Sequence, residues 1–419
     1  MIVLRLGWRN LWRNPRRSLI TIAGIAFAFA SLIALMGLAQ GLIEQLLKNG
    51  TELMVGHIQI HNREYLPDRN FHETIGGRPD AADAGDWRRL VARLKEQPHV
   101  RAVAPRVFGF GLLSTGDQSA GAQIIGIDPA AEPQVSRLID PQTLRRLKPG
   151  SILVGRLLAM ELKAREGDEI AIVTQAADGT LGNDLFRMSA AVSTGLPYLD
   201  RSLAVARMDD LQELLALGPD RIHEIAIKVD HPLEAPAITQ QIARMKDLPA
   251  ALQVESWRDL LRQLSDYLDL ARGADVFIIG LVVLFSVFGV LNTMMMATFE
   301  RIREIGMLNA LGMRPRLILL TILVEAGFLA MLGLAGGFLL GVGAMQYLST
   351  YGLDLTRWMG ELSVVETRMD PIWKAVWNWR AVVVAAVSLC LATVLAAYLP
   401  ARRAVRFDPV EALHAPVMQ

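Results

Sequence analysis

Cysteine is nearly absent: Cys390 alone occurs in 419 residues. It sits inside a long apolar run, so it closes no internal disulfide and presents no thiolate to solvent. No Gly-Lys dipeptide occurs anywhere, which excludes the loop that cradles nucleotide phosphates at the start of a helix. No G-x-S-x-G nucleophile elbow is present either. Charged residues make up only 20% and nearly cancel, to +1, so there is no basic surface of the kind that displaces counterions from nucleic acid. What the chain has instead is apolar residue, 52% of the total at a mean hydropathy of +0.31. That is too greasy for an ordinary soluble enzyme, and part of the chain is expected in lipid.

Four stretches meet the length set by a hydrocarbon core of about 30 Å. Ser18 to Ile43, Val276 to Phe299 and Ala381 to Pro400 carry no charge, and Leu317 to Gln346 carries only Glu325. The expected organisation is an interfacial helix over 1–17, spans over 18–46, 271–299, 317–349 and 381–400, and an outer domain over 47–270. A short connector lies at 300–316, an outer loop at 350–380 and a tail at 401–419. Arginine bias sets the orientation. Arg5, Arg9, Arg13, Arg16 and Arg17 precede the first span; Arg301, Arg303, Arg314 and Arg316 lie between the second and third; Arg402, Arg403 and Arg406 follow the fourth. These three segments share one side of the membrane, the cytoplasmic one. In the outer loop Arg357, Arg368, Lys374 and Arg380 are balanced by Asp354, Glu361, Glu366 and Asp370.

The outer domain shows mixed strand and helix signals, an α/β or α+β module. "GHIQIH" (56–61), "SILVG" (151–155), "DEIAIVT" (168–174) and "EIAIKVD" (224–230) read as strands. Helices are expected over 86–98, 156–163 and 209–218, the last capped by Asp209. "SWRDLLRQLSDYLDLARGADVF" (256–277) has helical spacing, and one unbroken helix is expected from about 256 to 299. His57, Gln59 and His61 share one strand face, but no third metal ligand has the right spacing, and a solvated face is the expected reading. "HETIG" (72–76) and "HEIAI" (223–227) lack the second histidine of a zinc-protease helix. No metal site and no catalytic residue is expected.

The connector packs six charges into the seventeen positions from Glu300 to Arg316. Ile302, Ile305, Leu308 and Leu311 interleave with Glu300, Arg301, Arg303 and Glu304, so one helix face can rest on the membrane edge and the other can meet a soluble protein. Glu325 lies about 13 Å further along the next helix. An intramembrane carboxylate is expensive and usually paired, so a structural or coupling role near the connector's arginines is expected rather than proton relay. Gly333, Gly337 and Gly341 recur every four residues and expose a flat face for a packing partner that the sequence does not name. Before the first span Leu4, Trp8, Leu11 and Trp12 fall within an arc of about 100°; with Trp8 and Trp12 as anchors they describe an interfacial helix halted by Pro15.

"ERIREIGMLNALGMRPRLILLTILVEAGFLAMLGLAGGFLLG" (300–341) resembles the signature of the FtsX-like, MacB-type (type VII) ABC transporter permeases. "YLPARRAVRFDPVEALH" (398–414) is similar to their tail and "GWRNLWRNPRRSLITIAGIAFAFASLIALMGLAQGL" (7–42) to their first span. "AQIIGIDPAAE" and "ILVGRLLAMELKAREGDEIAI" resemble their periplasmic core. The resemblance implies a non-catalytic inner-membrane permease of four helices that pairs with a second copy or a paralogue and binds two ATPase subunits. ATP and magnesium would sit on those subunits, with no cofactor in this chain. It also implies that Glu300, Arg301, Arg303, Glu304, Ile305, Gly306, Leu308, Ala310, Leu311 and Gly312 form the element coupled to the ATPase, whose closure would move the outer domains. In layout the chain resembles the LolC/LolE lipoprotein-releasing permeases, implying lipid-anchored cargo and a periplasmic chaperone or adaptor. Efflux of a peptide, antibiotic or other amphiphile with an adaptor, and signalling to a cell-wall hydrolase, are the alternatives within the family.

Overall fold

The computed structural model describes residues 2–65, 72–76, 86–246, 248–355, 363–364, 367–368 and 372–405. Arg357, Glu361, Glu366 and Asp370 of the outer loop, and the tail from Arg406 onward, lie outside the described residues. The chain folds as two compact units, one built largely from the residues up to Glu44 and from Leu268 onward, the other from Gln45–Tyr267.

The first unit is helical: α1 (Ile2–Leu11), α2 (Pro15–Gly50), α3 (Arg262–Glu300), α4 (Ile302–Ala310), α5 (Pro315–Thr350) and α6 (Trp379–Val405). By length and composition α2, α3, α5 and α6 can each cross a membrane. All four outrun the expected spans. α2 continues to Gly50, and α6 passes through the buried Pro400 to Val405, so the first residues of the expected tail are helical. Pro15 does more than stop the first helix: α1 ends at Leu11, and Pro15 opens α2 at a first-turn position where its missing N–H costs nothing. The unbroken helix expected from 256 is interrupted. A four-residue helix, Trp257–Leu260, is opened by a Ser256–Asp259 capping box, and Leu261 (φ −109°, ψ 61°) leaves helical geometry before α3 begins.

Helix association in lipid gains little from the hydrophobic effect, so close packing has to supply it. The glycines of α5 provide it. A Cβ on Gly333 would stand 2.7 Å from Ile25, one on Gly337 2.6 Å from the Ala26 carbonyl oxygen, and one on Gly341 2.7 Å from Ile33. The partner of this flat face is therefore α2. Around it Ile25, Val290, Met294, Leu329 and Ala397 form one cluster, and Phe29, Leu32, Met345 and Leu389 another.

The second unit is built on a nine-stranded sheet: β1 (Ile58–Asn62), β2 (Val100–Thr115), β3 (Gln118–Ile127), β4 (Ser151–Gly155), β5 (Glu169–Gln175), β6 (Leu181–Val192), β7 (Leu203–Arg207), β8 (Glu224–Val229) and β9 (Leu252–Ser256). The order is β3-β7-β4-β6-β5-β2-β8-β1-β9, and β2 also pairs with β3. Six strands thus close into a ring, and β8-β1-β9 continue from the other half of β2. The length of β2 makes this possible: Val100–Arg106 pairs with β8 and Arg106–Thr115 with β3. A closed ring has no free strand edge. Phe108, Ile125, Leu153, Val192 and Val205 form a buried apolar cluster on one face of the sheet.

The long β2–β3 hairpin is not among the strands expected from sequence. Residues 102–109 are buried in succession, so the polar alternation that marks a half-exposed strand is missing there. The helix expected over 209–218 runs from Met208 to Leu214 with no side-chain cap; Asp210 instead accepts from the Gly150 N–H at 2.9 Å. The helix expected over 86–98 spans Trp87–Lys95, capped by Asp86, which accepts from the Arg88 N–H. Asp168 precedes β5, and Leu162 and Lys163 follow the helix Arg156–Glu161.

The His57, Gln59 and His61 face is buried, not solvated, at 4%, 7% and 1% exposure. His57 Nδ1 accepts from the Val229 N–H at 3.1 Å, and burial, reinforced by Lys228, pushes its pKa down to about 4. Burial opposes charge on His61 as well, but the Glu255 carboxylate beside it holds its pKa above the ordinary value. One row further, Arg106 donates to Glu132 at 2.6 and 3.0 Å and to Glu224 at 3.0 Å, all three side chains buried. Among the described residues no three histidine, cysteine or carboxylate side chains converge as a metal site would require. His223 and Glu224 open a strand, not a zinc-protease helix.

Candidate functional site

The connector between α3 and α5 is an elbow of three parts. α3 runs to Glu300, Arg301 (φ −101°, ψ 12°) breaks it, and α4 covers Ile302–Ala310. Its end is a Schellman closure. Gly312 sits at φ +87°, its N–H reaching the Asn309 carbonyl and the Met313 N–H reaching the Leu308 carbonyl, each at 3.0 Å. Gly312 thereby ends the helix, and Pro315 then opens α5.

The elbow's charges point back into the protein. Arg301 donates to the Glu325 carboxylate at 2.9 Å and to the Asn10 carbonyl oxygen at 2.9 Å. It therefore ties three elements: its own elbow, the C-terminal end of α1, where a cation satisfies helix carbonyls, and the third turn of α5. Glu325 is 6% exposed, so the pairing removes the charge that would make a carboxylate costly there. Arg17 donates to Glu300 at 2.7 Å and to the Thr293 carbonyl at 3.2 Å. Arg13 pairs with Glu304 through both carboxylate oxygens. Ser18 Oγ closes the corner by donating to the Leu11 carbonyl at 2.6 Å.

α1 is seated on α5 as well. A Cβ on Gly7 would meet Val324 at 2.9 Å, and Trp8 stands edge-on to Phe328 with ring centroids 5.4 Å apart. Trp8 and Trp12, mutually edge-on at 6.0 Å, stay exposed at 44% and 51%, as anchors in a membrane interface would. Leu11, assigned to the same arc, is fully buried.

The partition of the elbow differs from the one its sequence suggests. Glu300, Arg301 and Glu304 are engaged by α1, α2 and α5, while the side chains left outward are Met307, Leu308 and Leu311, exposed at 52%, 41% and 79%, with Arg303. Ile302 and Ile305 are half-buried and Gly306 is buried. Ala310 ends α4; its side chain is outside the described set. Sequence reasoning grouped the elbow residues but missed Asn10, Arg13 and Arg17 as their partners. A signal was present: two arginines four apart, Arg13 and Arg17, and two glutamates four apart, Glu300 and Glu304, are charge-complementary in the chain.

Two family profiles partition the chain at these landmarks. The profile of the MacB-like periplasmic core domain matches residues 18–245, and that of the FtsX-like permease C-terminal region matches 276–409. The chain belongs to the FtsX-like, MacB-type family of ABC transporter permeases. The elbow, Glu325 and the α5 glycines all fall within the FtsX-like match, and the ring with β1 and β8 within the periplasmic match. Relatives in the family include a LolC lipoprotein-releasing protein of Neisseria meningitidis, 24% identical over 78% of this chain and 76% of its own length. A LolE of Haemophilus influenzae is 23% identical over 97% of this chain and 98% of its own length. A macrolide export ATP-binding/permease protein, MacB 1/2 of Paracoccus denitrificans, is 25% identical over 98% of this chain and 58% of its own length. The chain is thus a permease of an ABC transporter of the LolC/LolE or MacB type, a multi-pass membrane protein with a large periplasmic domain.

Proposed function

We propose that this permease transmits the motion of a separate ATPase to its periplasmic domain, and that its cargo is a lipoprotein or another lipid-anchored molecule taken from the inner membrane. The observation that carries the first part is the way the elbow is fastened. Arg301 ties it to Glu325 on α5 and Asn10 on α1, Arg17–Glu300 ties it to α2, and Arg13–Glu304 to the turn between α1 and α2, so a push on α4 is borne by three helices together instead of being lost in a loose connector. Met307, Leu308 and Leu311 offer the ATPase an apolar knob, the kind of residue that anchors a protein interface when it enters a pocket. A second permease, a copy or a paralogue, is supported by α3, where Val276, Phe277 and Phe285 are exposed at 72%, 67% and 71%.

Support for the cargo class is the end-to-end match to LolE over 98% of that relative's length. Export of an amphiphile with a periplasmic adaptor is the second reading, supported by the macrolide export relative that aligns over 98% of this chain. Copurification of the full-length protein from its own membranes, with identification of the bound ATPase and cargo, tests both. A bound acylated protein, released on ATP addition in proteoliposomes, supports lipoprotein extraction. A small amphiphile with an adaptor supports export, and a preparation without any ATPase overturns the coupling role itself.

A further inference from the structure

The start of α2 and the end of α3 line an open, groove-like cavity of about 450 Å³, with Asn14, Pro15, Arg16, Arg17, Met296 and Glu300 in its walls. Its charges do not cancel. Arg17 is committed to Glu300 and to the Thr293 carbonyl, whereas Arg16 is exposed and meets no carboxylate among the described residues. Two guanidiniums against one carboxylate leave a single uncompensated positive charge in the lining.

The walls leading away from that charge are apolar. Ile20, four residues after Arg16 on the same helix face, is 72% exposed; Met296 is 62% exposed and Phe288, eight residues before it on α3, is 61% exposed. Arg16 itself lies two residues before the uncharged run that begins at Ser18, which puts it at the edge of the hydrocarbon. One unpaired cation above two apolar helix faces matches a molecule with one negative charge and long hydrocarbon chains. A free phosphate would meet the charge and leave the apolar walls unused.

We propose that this cavity binds one anionic phospholipid of the cytoplasmic leaflet, its phosphodiester held by the Arg16 guanidinium and its acyl chains lying along the Ile20 and Met296 faces. The site is separate from any cargo taken from the opposite leaflet and does not depend on the cargo reading. Because Arg17 and Glu300 line it, the lipid sits against one of the ion pairs that fasten the elbow.

Native mass spectrometry of the full-length protein in neutral detergent, titrated with phosphatidylglycerol or phosphatidylcholine, tests the assignment. Wild type should hold one phosphatidylglycerol at least fivefold more tightly than phosphatidylcholine. Arg16→Gln, at an exposed position, should remove that preference, and Met296→Trp, which fills the cavity without altering charge, should weaken binding of the same lipid. Arg9→Gln, an exposed arginine outside the cavity, should leave it unchanged, and glycerol phosphate should not displace the lipid. Equal losses in Arg9→Gln and Arg16→Gln would show a diffuse basic surface and overturn the proposal. Displacement by glycerol phosphate would overturn it too, in favour of a soluble anion.

Discussion

Arg301 and Glu325 meet at 2.9 Å, joining the break between α3 and α4 to the third turn of α5, and the same guanidinium holds the Asn10 carbonyl at the end of α1. Removing one partner strands the other in a half-buried, water-poor corner. Glu325→Gln and Arg301→Met should each lower the thermal midpoint of the detergent-solubilised protein and reduce ATP-driven work more than assembly with the ATPase. The double variant should lose less than the sum, with a coupling energy of about 0.5–3 kcal/mol. Strict additivity in that cycle would remove the pair from the coupling apparatus.

The close approach of α5 to α2 makes a graded prediction. Gly337→Ala places a methyl 2.6 Å from the Ala26 carbonyl oxygen, a backbone atom that cannot rotate away, whereas Gly336→Ala meets Ala26 at an ordinary 3.7 Å. The first should destabilise by about 1–3 kcal/mol, typical of overpacking, and the second should be close to neutral. Parallel melting curves of the two variants check this.

Gly312 has open space around it but a backbone, φ +87°, that L residues adopt at a cost. Gly312→Ala should therefore destabilise the end of α4 by about 1–2 kcal/mol through strain alone, with Gly312→Asn milder. Limited proteolysis at the elbow reports the local effect. Wild-type resistance in Gly312→Ala would mean the turn relaxes without harm.

In the periplasmic unit, Arg106 neutralises Glu132 and Glu224 together. Arg106→Met would leave two buried carboxylates unpaired, and a loss of about 3–5 kcal/mol is expected. A triple apolar replacement of Arg106, Glu132 and Glu224 should recover much of it. Urea unfolding of the full-length protein distinguishes the two variants.

His57 sets a pH window. Folding holds its pKa at about 4 against an ordinary 6.5, so between those values the unfolded chain binds more protons than the folded one. Stability should be independent of this group above pH 6.5 and fall by about 3 kcal/mol as pH drops toward 4. His61, held above its ordinary pKa, acts in the opposite sense: its contribution is present below pH 6.5 and fades as pH rises through its folded value. His57→Gln should flatten the acid side of the profile. The protection factor of the Val229 amide, which donates to His57 Nδ1, is the direct readout.

How much of this was legible beforehand differs by region. The four spans, their common cytoplasmic ends and the elbow's place between the second and third follow from apolar run length and arginine bias, both local properties. The strands 151–155 and 224–229 were visible for the same reason. The β2–β3 hairpin was not, because a strand buried on both faces loses its alternation, and its closure into a ring is a pairing between residues far apart in the chain. The polar strand face of β1 shows the same limit: His57 and His61 look solvent-exposed by residue type, and only the elements packed over the sheet bury them.

Sequence alone therefore determined that this chain spans a membrane four times, which side its arginines occupy and where a charged elbow interrupts the apolar runs, since these depend on transferring short segments between water and lipid. Tertiary structure decided what each polar or small residue is for. It paired Arg301 with Glu325 and Arg17 with Glu300, set the α5 glycines against Ile25, Ala26 and Ile33, and turned Leu308 and Leu311 outward. Those outcomes depend on distances across helices that no single segment encodes.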